Sequence, residues 1–348
     1  MSHEQLFFMR RAIALAEEGR LTAPPNPWVG CVLVREGKII GEGYHEAPGK
    51  PHAERMALAQ AGDAKGATAF VSLEPCSHYG RTPPCVDALI EAGISRVVIP
   101  YLDPDLRVAG RGVKALEAAG ISVIIGVGKE EALRSLEPYL HHRRTKLPFC
   151  ILKMACSLDG RVAAQDGSSQ WITAEGARMD GHRLRASVQA VMIGVHTAIV
   201  DKPQLTARIE GASQPLRIVL DSKGRLPPEG PLFDPSLAPT LIFTTKPNAA
   251  WKNVEVVVLP KLELLSVLQK LGERGIIQLL VEGGAILHSS FLRGGFAQKV
   301  VVYMGNCFLG DKGLPSVQLE VPHISNVPRL RLESATPIGN DVRLLYSV

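Results

Sequence analysis

Residues 51–85 read PHAERMALAQAGDAKGATAFVSLEPCSHYGRTPPC. The stretch holds a His, a Glu two residues later, and two Cys that each follow a Pro. His52, Cys76 and Cys85 offer one imidazole and two potential thiolates. Such a set suits Zn²⁺, and three protein ligands leave a fourth position for water. Glu54 is then the group that carries protons between that water and a substrate. Two Cys and a His are also ordinary core residues, since unpaired Cys is among the most buried residue types. The order H-x-E, then P-C, then P-P-C, favours the metal. Eight residues, SHYGRTPP, separate the two Cys, where P-C-x-x-C has two. Their His, Tyr and Arg suit a loop that faces a substrate.

A non-ligand Glu beside a three-ligand zinc is the arrangement of the zinc nucleobase deaminases. The surrounding pattern supplies a scaffold. Residues 2–18 have helical spacing and stop at Gly19. Residues 29–34 and 38–43 are strand-like and are joined by Arg35-Glu36-Gly37, a hairpin signal. From Pro51 onward Ala53, Ala57, Leu58 and Ala61 share a helical face. Strands follow at 69–73, 96–100 and 121–127, and helices at 112–119 and 129–142, with Pro83 and Pro84 opening a further helix. This alternation predicts an α/β sheet with helices on its faces, whose strand ends bind ligands. Residues two apart on a helix do not share a face. His52 and Glu54 therefore border one pocket only at the helix start, where the free N–H groups favour negative charge. Asn26, in the proline-rich loop TAPPNPWVG, serves either as a turn former or as a substrate contact. His45 ends the second strand.

The charged, proline-ended run HHRRTKLP at 141–148 marks a boundary between domains 1–146 and 147–348. Its basic cluster reads as a solvated linker face, with a phosphate site as the alternative. Beyond it strands are expected at 149–155, 190–194, 216–220, 240–244, 254–258, 278–282, 299–304 and 342–346. Helices are expected at 174–186, 263–274 and 285–292. In IIQLLVEGGAILHSSF a buried strand runs through Glu282-Gly283-Gly284 into a helix, where a pyrophosphate can approach backbone N–H groups. A plain tight turn is the other reading, and the G-x-G-x-x-G fingerprint is absent. Trp171 is a core aromatic or a platform for a flat ring. Arg185 and Arg208 are surface residues or phosphate clamps.

At 348 residues the chain suits two domains. A formal charge of +5 without a long Lys/Arg run, and only 5% aromatic residues, argue against a nucleic-acid-editing deaminase. Six Cys spread over this length make no disulfide framework; their proline context points to metal in a reducing compartment. The N-terminal MSHEQLFFMRRAIALAEEGR reads as an amphipathic helix and not a signal peptide. No apolar run reaches membrane-spanning length, so the expected location is the cytoplasm. A binding protein with structural zinc is the remaining rival. Such sites usually carry four protein ligands, and three are evident here.

The motifs NPWVGCVLV, GEGYHEAPGKPHAE, LEPCSHYGRTPPC, DPDLRVAGRG, LKMACSLDGR, SQWIT, DKPQLTAR and VEGGAILHSSF together resemble the RibD (RibG) family of bifunctional riboflavin-biosynthesis enzymes. They run nearly the full length in the family's order. The resemblance implies a cytidine-deaminase-like α/β/α domain followed by a dihydrofolate-reductase-like α/β domain, and a homodimer through the latter. It implies deamination of 2,5-diamino-6-ribosylamino-4(3H)-pyrimidinone 5′-phosphate, then NADPH-dependent reduction of the ribosyl chain to ribityl. Carried over by motif, His52, Cys76 and Cys85 hold zinc and Glu54 shuttles the proton. Asn26, His45, Arg81 and Asp103 contact the deaminase substrate, with Arg81 at its phosphate. Ala155, Trp171, Thr197, Asp201, Ser222, Gly284, Ala285, Ile286, Leu287, His288, Ser289 and Ser290 hold NADPH. Ser169, Arg185, Leu205, Arg208 and Glu282 hold the reductase substrate, the arginines taking its phosphate. Lys153 lies near the implied reaction centre without an assigned role. One departure stands out: the family's D-P-N-P is Asp103-Pro104-Asp105-Leu106 here. A carboxylate at Asp105 near a phosphorylated substrate is mildly repulsive unless it faces a ribose hydroxyl.

Overall fold

The structure, a computed structural model, describes residues 2–79, 83–105 and 108–348. Its internal contacts divide it into two units, Met1–Lys146 and Leu147–Val348. No helix among the described residues is long and apolar enough to cross a membrane.

The first unit runs α1 (His3–Glu18), β1 (Gly30–Arg35), β2 (Lys38–Tyr44), α2 (Ala53–Ala61), β3 (Thr68–Val71), α3 (Cys85–Glu91), β4 (Arg96–Ile99), α4 (Arg111–Ala118), β5 (Ser122–Ile125) and α5 (Lys129–Thr145). The sheet order is β2-β1-β3-β4-β5. Strand β1 is antiparallel to β2 and β3, and the last three strands are parallel. Side chains alternate across a sheet. Cys31, Leu33, Val71 and Ile99 pack with Ala57, Leu89 and Leu116 of α2, α3 and α4. Val32, Val34, Phe70 and Val98 pack with Phe8 and Met9 of α1 on the opposite face. Helices thus cover both sides. Helix α1 starts with a capping box: Ser2 Oγ accepts from the Gln5 N–H at 3.2 Å, and the Ser2 N–H donates to Gln5 Oε1 at 3.3 Å.

Two local features set the strand-end loops. Strand β2 lies directly on α2. A Cβ on Gly41 would stand 2.2 Å from the Ala57 carbonyl oxygen, and one on Gly43 would stand 2.7 Å from that of Ala53. Only glycine permits that approach, and it fixes where α2 begins. Glu74, just past β3 and buried, spends its carboxylate on backbone. The N–H groups of Asp103 and Gly110 donate to Oε2 at 3.0 and 2.9 Å. Those of Gly112 and Val113 donate to Oε1 at 3.0 and 3.3 Å. One side chain thereby ties the loop after β4 to the first turn of α4.

The second unit runs β6 (Phe149–Cys156), β7 (Arg161–Ala163), α6 (Glu175–Ala186), β8 (Ala190–Gly194), α7 (Val195–Asp201), β9 (Leu216–Leu220), β10 (Thr240–Thr244), β11 (Glu255–Val258), α8 (Leu264–Glu273), β12 (Gln278–Val281), α9 (Ala285–Arg293), β13 (Ala297–Met304), β14 (Leu314–Pro315), β15 (Arg331–Ile338) and β16 (Asp341–Ser347). Nine strands form one sheet in the order β11-β10-β9-β8-β12-β6-β13-β16-β15. It is parallel from β11 to β13 and antiparallel over the last two strands. Phe149 and Ile151 of β6 share a core with Ala177, Val195 and Ala198 of α6 and α7. The alternate Cys150 and Leu152 share one with Val267, Leu271 and Phe291 of α8 and α9. Arg217 of β9 is fully buried. Its guanidinium donates to the carbonyls of Gln204, Pro231, Leu232, Asp234 and Ala238. It thereby replaces the water that those loop carbonyls would otherwise need.

The differences from the sequence reading have physical causes. Strand β15 was not expected because both its faces are largely exposed, so its residues carry no alternation. Helix α7 follows β8 without a break and is only seven residues long, too short for a helical period. Pro83 and Pro84 precede α3, with Pro84 as its N-cap, and Cys85 is its first residue. Helix α5 continues past 142 to Thr145 and ends where Lys146 adopts a left-handed conformation, φ 63°. Its basic last turn is favoured by the helix dipole.

Removing the Glu74 carboxylate orphans four backbone donors. In Glu74→Ala, hydrogen-exchange protection of the Asp103, Gly110, Gly112 and Val113 amides should fall about 100-fold, equivalent to roughly 3 kcal/mol. Unchanged protection would mean that the loop is held by other contacts.

Candidate functional site

In the first unit three segments bring one donor atom each to a common point. His52 is the N-cap of α2, with extended backbone at φ −75° and ψ 163°. Cys76 lies in the loop after β3, and Cys85 opens α3. The donor atoms of the three residues all lie within 4.8 Å of one another. His52 Nδ1 is 3.5 Å from Cys76 Sγ and 3.2 Å from Cys85 Sγ. Zinc bonds of 2.0–2.3 Å in a tetrahedron set donor-to-donor edges of roughly 3.5 Å. The residues present therefore fit that ion in donor type and in spacing. The N–H of Cys85 also points at Cys76, donating to its carbonyl at 3.1 Å and to its sulfur at 3.3 Å. A hydrogen bond from the Cys85 thiol, aided by His52, holds the Cys76 thiol far below its ordinary range, at about 4. A thiolate at Cys76 is the form that binds metal.

Glu54 is the second residue of α2 and is 3% exposed. The difficulty of His52 and Glu54 sharing a face disappears, because His52 caps the helix and only Glu54 lies inside it. Burial pushes the Glu54 carboxyl up. Both residues border a cavity of about 510 Å³, together with Asn26, His45, Asp103 and Arg143. Asn26 Nδ2 is 3.1 Å from His45 Nε2, and His45 Nδ1 is 3.2 Å from the Pro51 carbonyl. With the carbonyl as acceptor, Nδ1 carries the proton and Nε2 accepts from the Asn26 amide. Asp103 is 5% exposed, and burial raises its carboxyl to about 6. Its Oδ1 accepts from the Asp105 N–H at 2.8 Å. Arg81 lies outside the described residues.

The basic cluster at 141–146 is not a uniformly solvated face. His142 is buried, and Arg143 is turned from the last turn of α5 into the cavity wall. Its guanidinium sits 4.9 Å from the Tyr139 ring centre and donates to the Pro25 carbonyl at 2.9 Å. The i, i+4 relation to Tyr139 was visible only once the helix was known to extend that far.

In the second unit the polar centre is Glu282, at the end of β12. Arg185 of α6 grips it with both arms of its fork, Nε to Oε1 at 2.5 Å and Nη2 to Oε2 at 2.8 Å. Lys153 Nζ of β6 lies 3.7 Å from Oε2. Burial opposes ionisation of Glu282, but the charges of Arg185 and Lys153 outweigh it and hold the carboxyl at about 2. Arg185 also donates to the Thr206 carbonyl at 3.2 Å, next to buried Leu205. Lys153 lies over the Tyr303 ring at 5.7 Å, and Tyr303 donates to Asp180 at 2.7 Å. Sequence reasoning missed Tyr303 and Asp180, which lie in an ordinary strand and helix. Arg208 is exposed and donates to Gln204 at 3.2 Å, and Ser169 is half-exposed.

Adjacent parallel strands β8 and β12 lead into α7 and α9, whose N-caps are Gly194 and Gly284. A Cβ on Gly284 would stand 3.9 Å from Thr197 Oγ1, so these two candidates face one gap. Two helix starts above neighbouring strand ends suit a pyrophosphate. Ala285 and Ile286 follow on the first turn, and Ile286 is 71% exposed. Further along α9 the side chains turn inward. Leu287 joins a core, His288 Nε2 is 3.4 Å from the Val281 carbonyl, and Ser289 Oγ accepts from the Gln318 N–H. Ser290 Oγ donates to the Ile286 carbonyl. Trp171 is 68% exposed, with the Arg178 guanidinium 4.5 Å from its ring centre. Asp201 ends α7, Ala155 pairs with Tyr303, and exposed Ser222 accepts at its carbonyl from Thr245 Oγ1.

Comparison with known proteins adds ancestry to this geometry. The family model for the RibD C-terminal domain matches residues 148–344. That for the cytidine and deoxycytidylate deaminase zinc-binding region matches residues 2–100. The riboflavin biosynthesis protein RibD of Chlamydia trachomatis serovar D is 48% identical, over 99% of this chain and 96% of its own. The RibD of Escherichia coli is 39% identical, over 97% and 98%. A solved Thermotoga maritima structure is described as a diaminohydroxyphosphoribosylaminopyrimidine deaminase/5-amino-6-(5-phosphoribosylamino)uracil reductase. It matches with a TM-score of 0.93 at 37% identity over 99% of both chains. With a deaminase-type centre in one unit and near full-length relatives throughout, the chain belongs to the RibD family of riboflavin-biosynthesis proteins.

Proposed function

We infer that the chain deaminates 2,5-diamino-6-ribosylamino-4(3H)-pyrimidinone 5′-phosphate in its first unit. In its second it reduces the deaminated ribosyl product to the ribityl compound with NADPH. The observation that carries the first half is the convergence of His52, Cys76 and Cys85 on one point, with His52, Cys76 and buried Glu54 lining one cavity. His52, Cys76 and Cys85 would hold the zinc. Bound there, zinc supplies Lewis-acid activation of water at neutral pH. Glu54 takes a proton at its carboxylate and delivers it to the departing amine at C2 of the pyrimidine. Its burial keeps bulk water from competing for that proton. Asn26 and Asp103 offer hydrogen-bonding groups to the ring and ribose, and His45 fixes the Asn26 amide. Arg81 is assigned to the phosphate by its motif.

In the second unit Gly284, Ala285, Ile286 and Thr197 would hold the NADPH pyrophosphate, and Trp171 a flat ring. The remaining assigned positions, Ala155, Asp201, Ser222 and residues 287–290, follow the family motif. NADPH supplies the hydride. Arg185 spends its fork on Glu282, so its role is to orient that carboxylate toward the ribosyl hydroxyls. That leaves Arg208, which shares its motif with Leu205, to face the phosphate, with Ser169 of the SQWIT motif as a further contact. The Lys153 ammonium, next to Glu282, stands where a proton donor to the reduced chain is needed. Reduced Cys76 and Cys85 favour the cytoplasm, and the family likeness points to a homodimer through the reductase unit.

Glu54→Gln keeps shape and hydrogen bonding but cannot carry the proton. Ammonia release should fall at least about 100-fold, while zinc content and NADPH oxidation on supplied deaminated intermediate persist. Substantial residual deamination would remove Glu54 from its role. Asp103 generates a second test. Its folded-state pKa is raised to about 6, so the ionised acceptor is present above that pH and is lost as pH falls through it. The deaminase KM should rise below about pH 6, and Asp103→Asn should flatten that bend. A bend that persists in the variant would assign it to another group.

A further inference from the structure

We propose that Tyr303 is a positioning residue of the reductase site, whose ring, fixed by Asp180 and Arg343, holds the Lys153 ammonium in place beside Glu282. The proposal rests on the reductase reading of the second unit, with Lys153 as its proton donor. A lysine ends in a point charge on a flexible stem, so a single contact leaves the ammonium free to swing. Glu282 supplies one contact, with Oε2 3.7 Å from Nζ. Tyr303 supplies a second from another strand, its ring centre 5.7 Å from Nζ, inside the range where a cation is drawn to an aromatic face. Gly181 of α6 closes the slot. A Cβ there would stand 3.9 Å from Lys153 Cε, so the helix backbone lies over the lysine stem.

The ring is itself held. Strand register sets Lys153 beside Val301, and sets Tyr303 between Ala155 of β6 and Arg343 of β16. Val301 and Tyr303 are two apart on β13 and so share a face of the sheet. Lys153, Tyr303 and Arg343 therefore form a row across three strands, on the face that α6 covers. Tyr303 is 1% exposed, and its hydroxyl donates to Asp180 Oδ2 of α6 at 2.7 Å. Arg343 Nε lies 3.2 Å from the same oxygen. Charge alternates along the whole row: Arg185, Glu282, Lys153, then the ring, Asp180 and Arg343. A phenol that donates to a carboxylate gains electron density in its ring, which strengthens the attraction for the ammonium.

The test is single-turnover NADPH oxidation by the full-length chain supplied with the deaminated ribosyl intermediate, with NADPH affinity read separately by fluorescence titration. Tyr303→Leu removes the ring and keeps apolar bulk; it should slow oxidation about tenfold with NADPH affinity within about threefold. Tyr303→Phe keeps the ring and gives up the Asp180 bond, so its loss should be only about threefold. Lys153→Met should slow oxidation at least about 100-fold. Adding Tyr303→Leu to it should then cost no more than about twofold, because no ammonium is left to hold. Unchanged oxidation in Tyr303→Leu overturns the proposal. So does an equal loss in the Lys153→Met background, which would make Tyr303 a packing residue, and so does a Tyr303→Phe as slow as Tyr303→Leu. Should Tyr303→Leu fail to fold, Tyr303→Phe carries the comparison: a loss in the unaltered background that vanishes in Lys153→Met supports the proposal, and any other pattern overturns it. An unimpaired Lys153→Met would remove Lys153 as proton donor, and absence of NADPH oxidation by the unaltered chain would remove the reductase reading; the proposal falls with either.

Discussion

Three donor atoms on three separate segments have to meet within a few ångströms, and most of the first unit is arranged around that requirement. His52 reaches the point because α2 starts there, and α2 starts there because Gly41 and Gly43 let β2 lie against its backbone. Cys85 reaches it as the first residue of α3, with its own N–H directed at Cys76. Two helix starts therefore face the same spot. Their N–H groups favour a thiolate and a carboxylate against the effect of burial. Glu54 gains its place from the same construction, one residue inside α2.

The second unit solves a related problem with opposite signs. A carboxylate largely shielded from water is costly unless it is paired. Glu282 is paired twice, with Arg185 from α6 and with Lys153 from the neighbouring strand β6. The result is a rigid, ionised group at a strand end, where open α/β sheets bind ligands. Beside it the starts of α7 and α9 provide backbone donors. Fixed charge and free N–H groups lie close together without any extended binding loop.

The parts of this arrangement that were legible in the sequence are those that depend on local pattern. The alternation of apolar residues marked most strands and helices, and H-x-E, P-C and P-P-C marked the metal set. The VEGG turn pointed to α9. What stayed hidden depends on contacts between distant segments. Nothing in LEPC says that Glu74 will meet four N–H groups some thirty residues later. Arg143 was read with its basic neighbours as a solvated face, because the helix was expected to end at 142. One more turn carries Arg143 inward while Arg144 stays exposed. Strand β15 shows the converse limit: an edge strand exposed on both faces has no alternation to detect. The family resemblance implied a phosphate for Arg185, whose residue type alone left a surface role open, and its engagement by Glu282 follows only from the fold.

The most direct measurement is a two-stage assay on one purified sample whose metal content is also determined. The diaminopyrimidine ribosyl phosphate is supplied and ammonia is followed, and then NADPH is added and its absorbance is followed. The account predicts about one zinc per chain, ammonia release before any NADPH is present, and NADPH oxidation only after it. Zinc at that level with neither ammonia nor NADPH oxidation would contradict the account, leaving a metal site that holds structure and performs no chemistry.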